Sequence, residues 1–309
     1  MGLASSDSER SGTVDFIVGT KTYQTWYMVV GDLKGGRRPV VALHGGPGMS
    51  HHYMLPHVQL FTRASIPVVL YDQLGNGQSS HIHDVPQSFW CPELFMDELD
   101  NLLKKLELSD DFDLLGHSWG GQLAGSYAAL RQPQGLKRLI IANSPASIPL
   151  FMAGANELLD RFPPSLGTMI RKYEAEGNMK PKEYQDGVME WCKRHICTLD
   201  PWPEQLLKSF GAAKEDPTVH RSMMGGYSFK IIGNLKNWSI IDDLHKIKYP
   251  TLLISSPTDE IQEAAILPWF LRIPKVKWVE LQNSSHLAEF EEPDRYFEVI
   301  INFLDTITA

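Results

Sequence analysis

The sequence predicts an α/β fold: a mostly parallel sheet covered by helices on both faces, with a helical block inserted late in the chain. Two observations carry this expectation. Short apolar runs, "VVALHG", "PVVLYDQ", "FDLLGHS", "LKRLIIANS", "YPTLLISS" and "VKWVEL", alternate with stretches of helical spacing. Strands buried on both faces read as unbroken apolar runs, and the helices between them serve as crossovers. The alternation stops between about residues 146 and 240, which are rich in Met, Trp and charged residues, and the strand rhythm resumes at Tyr249. At 309 residues, 43% of them hydrophobic, the chain can form one large domain, or one domain carrying an insertion, around a sizeable core.

In chain order, residues 1 to 11 are polar and Ser-rich and are expected to be disordered. Two antiparallel strands are expected near 13–19 and 22–30, where "TYQTWYMVV" is rich in β-branched and aromatic residues. The sheet core is then assigned to 12–145 and 241–309, and the helical block to 146–240. Within that block "FMAGANELLDRF", "TMIRKYEAEG" and "PKEYQDGVMEWCKRHI" read as amphipathic helices. A helical insertion between two sheet strands is most simply a cap over the strand ends, where open α/β sheets bind ligands. The alternative is a second packing layer with no part in binding.

Charge and composition exclude several classes. A net charge of -8 argues against nucleic acid or an anionic membrane as the main partner. No apolar run approaches the ~20 residues of a spanning helix, and "MGLASSDSER" lacks a signal-peptide core. Met1-Gly2 with Ser6 formally fits an N-myristoylation pattern, but no basic cluster reinforces it. Cys91, Cys192 and Cys197 form an odd, sparse set, which suits a reducing, cytoplasmic setting. Neither Cys192 and Cys197 nor the histidine pairs His51-His52 and His81/His83 have further ligands at metal-site spacing, so no metal and no cofactor is expected.

Two motifs carry chemistry. "LLGHSWGGQLAGSYAAL" holds Gly116-His117-Ser118-Trp119-Gly120, a G-x-S-x-G directly after an apolar strand and before a helical pattern. The glycines allow a sharp turn that exposes the Ser118 hydroxyl on a strained tip. A nucleophilic serine needs a base, and the base an orienter. In α/β-hydrolases these follow in the order Ser, Asp or Glu, His. "YPTLLISSPTDE" places Asp259 at a strand end, and "VKWVELQNSSHLAEFEEP" delivers His286 after the last strand. His245, in the helix-like "DDLHKIK", is read as a surface residue.

The second motif is "VALHGGPGMSHHY", with three glycines and Pro47 where an apolar strand stops. An acyl-transfer serine needs two donors for the oxyanion. One is the backbone N–H after the nucleophile, at Trp119, and the second belongs to a loop after an earlier strand. Glycine permits close approach of backbone to substrate, and the second donor is assigned to the N–H of Gly46.

"HGGPG" at 44–48, "YDQLGNGQS" at 71–79 and "GHSWGG" at 116–121 resemble the proline iminopeptidase family of α/β-hydrolases. "PTDE" at 257–260 and "SSHLAEFEEPDRYFEVIINFL" at 284–304 extend the likeness over nearly the whole chain from about residue 13. It is strongest to the tricorn-interacting aminopeptidases, with landmarks at His195, Trp202-Pro203-Glu204 and Trp238. The resemblance implies an α/β-hydrolase fold with an inserted helical cap, Ser118, Asp259 and His286 as triad, and Gly46 and Trp119 as oxyanion hole. It implies removal of N-terminal residues, often proline, from short peptides whose free ammonium is held by acidic residues. One of these matches Glu260. The other falls in "GGYSFKIIGNLKNW", at Ser228, so a replacement is sought at Glu204 or Glu190.

The leading expectation is thus a serine hydrolase of small amides or peptides with exopeptidase character, acting on a small-molecule or short-peptide substrate. Ser228 favours a first alternative, an ester, lactone or other amine-free substrate on the same triad. A second alternative is a non-catalytic binding protein that uses the helical block as a lid over its ligand.

Overall fold

The computed structural model describes residues 8–306, Tyr227 apart. A hairpin opens the chain. β1 (Glu9–Val18) and β2 (Lys21–Val30) pair antiparallel along their full length, from Glu9 opposite Val30 to Val18 opposite Lys21. The strand therefore begins earlier than expected, and residues 9–11 are not disordered. Their side chains are exposed, but their backbone continues the ladder against Met28, Val29 and Val30. Residues 1–7 of the expected disordered segment, with the Gly2 pattern, lie outside the described residues.

All six apolar runs form strands. β3 (Val40–Leu43) leads through a 3-10 segment at His51–Val58 into α1 (Gln59–Ala64) and β4 (Val68–Tyr71). Next come α2 (Pro92–Lys105), β5 (Phe112–His117), α3 (Trp119–Ser126) and β6 (Leu136–Ala142). Five helices are then inserted: α4 (Ile148–Asp160), α5 (Pro164–Ala175), α6 (Lys182–His195), α7 (Glu204–Glu215) and α8 (Thr218–Met223). β7 (Thr251–Ser255), α9 (Glu263–Arg272), β8 (Val276–Glu280), α10 (Ala288–Glu291) and α11 (Pro293–Asp305) complete the chain.

The sheet has eight strands in the order β1-β2-β4-β3-β5-β6-β7-β8. β1 and β2 are antiparallel to their neighbours, and β4 through β8 run parallel. Alternate residues of the inner strands feed two cores, as a period of two requires. Val41, Leu43 and Leu114 face one core with α2, α3 and α9, whereas Val40, Ala42 and Leu115 face the other with α1 and α11. The inserted helices share the first core through Phe162, Ile170, Trp191 and Met223. The insertion starts and ends at one point, an antiparallel bridge between Ser147 and Ser239. Because β3, β5, β6, β7 and β8 are parallel, their carboxyl ends open on one edge, where a ligand site in such a sheet is formed.

Candidate active site

Ser118 stands between β5 and α3 with φ 55° and ψ -124°, a left-handed-side conformation that a non-glycine residue adopts only under strain. The flanking glycines make the turn possible. A Cβ on Gly116 would lie 2.1 Å from the Gly120 carbonyl oxygen, and one on Gly120 would lie 2.1 Å from that of Leu43. Ser118 donates its N–H to Ala142 O at 3.0 Å, which anchors the tip to the end of β6. Its side chain lines a cavity of about 410 Å³ at the carboxyl ends of the strands.

His286 lines the same cavity, and its Nδ1 donates to Asp259 Oδ1 at 2.8 Å. Asp259 has no exposed surface and accepts further bonds from the Ile261 N–H at 2.9 Å and from Asn143 Nδ2 at 2.8 Å. With Nδ1 committed to Asp259, the Nε2 of His286 is the nitrogen left to exchange a proton with Ser118. Burial alone would lower the His286 pKa. The charge and hydrogen bond of Asp259, with Glu260 and Glu289 added, outweigh burial and raise it, which favours the imidazolium that forms once the neutral ring has accepted a proton.

The two proposed oxyanion donors also line the cavity. Among the described residues, neither the Gly46 nor the Trp119 backbone N–H is engaged in a hydrogen bond. Gly46, at φ +113°, precedes a cis peptide bond to Pro47. A Cβ on Gly46 would sit 2.5 Å from the backbone nitrogen of Gly48, so only glycine fits the loop.

A polarised chain ties this loop to His286. His117 is buried and its pKa lies well below the usual histidine range, through burial first and the neighbouring His286 second. As neutral imidazole it carries one proton. Its Nε2 faces the His286 carbonyl at 2.8 Å, which can only accept, so Nδ1 accepts from Tyr53 Oη at 3.0 Å. Tyr53 Oη in turn accepts from the Gly45 N–H. His117, read in the sequence only as the middle of G-x-S-x-G, thus joins the Gly45–Gly46 loop to His286.

The carboxylates divide sharply. Glu260 is the one acid among the described residues lining the cavity. Burial and the charge of Asp259 raise its pKa to about 7, against the opposing influence of His286 and the nearby Trp191 indole. Glu204 corrects an expectation: it faces solvent, 77% exposed, and pairs with Lys208 at 2.8 Å. α7 turns Leu206, Phe210, Ala213 and Lys214 to the cavity, and Glu204 lies about 200° round the helix from Leu206. Glu190 is also outside, 51% exposed and 3.7 Å from Arg194. Ser228 does line the cavity. The acid behind it is Glu174, whose Oε1 accepts from the Ser228 and Phe229 N–H groups and from Tyr184 Oη.

Asn143 and Glu289 carry no sequence signal of their kind. Asn143, at φ 47°, orients Asp259 from the end of β6, and only its place after "LIIA" hints at that role. Glu289, on α10, is 1% exposed, and neither carboxylate oxygen has a partner among the described residues. Its burial raises its pKa to about 8. Trp191 packs its ring on His195 at 4.5 Å and on Phe229 at 4.7 Å, forming an aromatic wall opposite the sheet.

The alpha/beta hydrolase family model matches residues 40–299. The proline iminopeptidase of Saccharolobus solfataricus is 35% identical over 94% of this chain and 91% of its own. Among solved structures, VinJ superposes with a TM-score of 0.93 at 41% identity, covering 97% of this chain and 99% of that one. The proline iminopeptidase of Mycobacterium smegmatis gives 0.87 at 33%, covering 95% and 97%. Esterase and lactonase structures below 25% identity share the fold alone, among them an enol-lactonase from Burkholderia xenovorans at 18% and a TM-score of 0.64. The chain belongs to the alpha/beta hydrolase family and, within it, to the proline iminopeptidases.

Proposed function

We propose that this hydrolase is a serine-dependent aminopeptidase that releases the N-terminal residue of small peptides or amides, and that the inserted helices cap its site. The observation that carries the reading is the shared cavity: a strained Ser118, an Asp259-bonded His286, two free N–H donors and a lone carboxylate, Glu260, line it or abut it. Ser118 Oγ attacks the substrate carbonyl carbon while His286 Nε2 takes its proton. The tetrahedral oxyanion receives the Gly46 and Trp119 N–H groups, each worth roughly 3–4 kcal/mol of barrier. His286 then protonates the leaving amine, and water, deprotonated by the same nitrogen, hydrolyses the acyl-enzyme. Asp259 holds the tautomer throughout. Glu260 pairs with the substrate's ammonium, which itself draws the carboxyl toward its ionised form.

No metal or cofactor enters this scheme, and the proposed partner is the substrate alone, with no nucleic acid and no membrane. The three free cysteines fit a cytoplasmic setting. None of the helices is long and apolar enough to cross a membrane among the described residues.

Ser228 supports a second reading, in which the substrate has no amine, because the cavity offers one carboxylate where two would enclose an ammonium. The test is labelling with a fluorophosphonate together with hydrolysis of prolyl-p-nitroanilide and p-nitrophenyl acetate. Labelling that is abolished by Ser118→Ala, with cleavage of the anilide, is expected. Cleavage of the ester alone would favour the second reading, and no labelling would remove both.

A further inference from the structure

We infer that Gln73 is a positioning residue for the oxyanion hole, holding both of its donors in register from behind; the inference rests on the proposed roles of Gly46, Trp119 and Ser118. Gln73 follows β4 and is 1% exposed, outside the cavity lining. All of its polar groups are engaged. Its side-chain Nε2 donates to the His44 carbonyl at 2.8 Å, and its Oε1 accepts from the Trp119 indole at 2.8 Å. Its backbone N–H donates to His44 Nε2 at 3.0 Å, and its carbonyl accepts from the Asn76 N–H at 3.0 Å.

These contacts fix two successive peptide planes. The His44–Gly45 peptide is held at both ends, its carbonyl by Gln73 Nε2 and its N–H by Tyr53 Oη. Because the Gln73 N–H occupies His44 Nε2, the imidazole proton is on Nδ1, which donates to the Gly45 carbonyl at 3.0 Å. Burial keeps that imidazole neutral, as the arrangement requires. The Gly45 carbonyl and the Gly46 N–H belong to one planar trans unit, so anchoring the oxygen aims the N–H in the opposite direction. On the other side, Oε1 holds the Trp119 indole, and with it the first residue of α3, whose N–H is the second donor. One amide therefore joins two segments 75 positions apart in sequence (44 and 119). A donor displaced by a fraction of an ångström loses strength only where charge develops, in the transition state.

The test compares Gln73→Glu, which keeps volume and the acceptor for Trp119 but sets an oxygen against the His44 carbonyl, with wild type. Expected is a fall of roughly tenfold or more in kcat with KM within about twofold. The affinity of prolinal, which forms a tetrahedral adduct on Ser118, is expected to fall by the same factor, and that of proline amide at subsaturating turnover to hold. A folded Gln73→Glu with unchanged kcat and unchanged prolinal affinity would overturn the inference. If that variant does not fold, Trp119→Phe removes the indole donor, and part of the ring's packing with it, while keeping an aromatic side chain and the backbone N–H. A roughly threefold or larger loss of kcat at constant KM supports the role, and no loss overturns it. Running p-nitrophenyl acetate in parallel separates failures: an enzyme that cleaves only the ester loses the aminopeptidase reading, while the effect of Gln73 is still scored on the ester.

Discussion

The two walls of the cavity are built on different principles. On the sheet wall, Ser118, His286 and the Gly46 loop are held by hydrogen bonds to buried partners: His286 to Asp259, Asp259 to Asn143, Gly45 to Tyr53, and Trp119 to Gln73. On the helical wall, Phe151, Val188, Trp191, Phe210 and Met224 are placed by packing, as in the ring contacts of Trp191 with Phe162 at 5.7 Å and Phe229 at 4.7 Å. Hydrogen bonds are directional and fix individual atoms, whereas apolar packing fixes a shape. The sheet wall thus suits chemistry, and the helical wall suits selection among substrates. The two meet at the carboxyl end of α6, where the His195 carbonyl accepts the N–H groups of both Glu260 and His286 at 3.3 Å.

Breaking the sheet wall has the largest consequence. Ser118→Ala is expected to lower kcat by roughly 10⁴-fold or more with the thermal midpoint nearly unchanged, read by steady-state kinetics and calorimetry. A variant retaining a tenth of wild-type turnover would detach the chemistry from this wall.

Glu289, behind the same wall, is expected to show itself in stability. Its folded-state pKa of about 8 lies above the ordinary 4.5, so the folded protein binds more protons than the unfolded chain between those values. Stability from this group is present in acid and declines as pH rises from about 4.5 through 8. Glu289→Gln mimics the protonated acid and removes the decline, a gain on the order of 2–4 kcal/mol above pH 8. Chemical denaturation at pH 5 and pH 8.5 reads this, and equal differences at both would contradict it.

Disturbing the helical wall is expected to act on binding. Trp191→Phe keeps an aromatic ring but removes the polar indole edge that faces Glu260, and should raise KM about three- to fivefold with kcat within about twofold. A loss confined to kcat would place Trp191 with the chemistry. The smallest effect belongs to Glu204→Ala. An exposed i,i+4 pair contributes little, so activity within about twofold and stability within ~0.5 kcal/mol are expected.

The same contrast explains what was legible in the sequence. Strands such as "LLIS" and the G-x-S-x-G turn declare themselves, because burial on both faces and a glycine-dependent backbone restrict residue type locally. Asp259 and His286 followed from chain order along those strands. The start of β1 at Glu9 was not legible, since an edge strand with exposed side chains lacks an apolar pattern. Glu204 was misplaced because the rotation of an inserted helix against the sheet depends on packing among distant helices, not on its own spacing. The roles of Gln73, Asn143 and Glu289 arise from contacts across the fold, and nothing in their immediate neighbours announces them.

The central claim is that the sheet wall's chemistry is directed to free amines by Glu260, the one carboxylate among the described residues that line the cavity. The most direct measurement is kcat/KM at pH 8 for prolyl-p-nitroanilide and its N-acetylated form, in wild type and in Glu260→Gln. The account predicts a strong preference for the free amine in wild type and its loss by roughly 10- to 100-fold in the variant, with the acetylated substrate unaffected. Equal rates for both substrates in wild type, or a preference that survives Glu260→Gln intact, would contradict it.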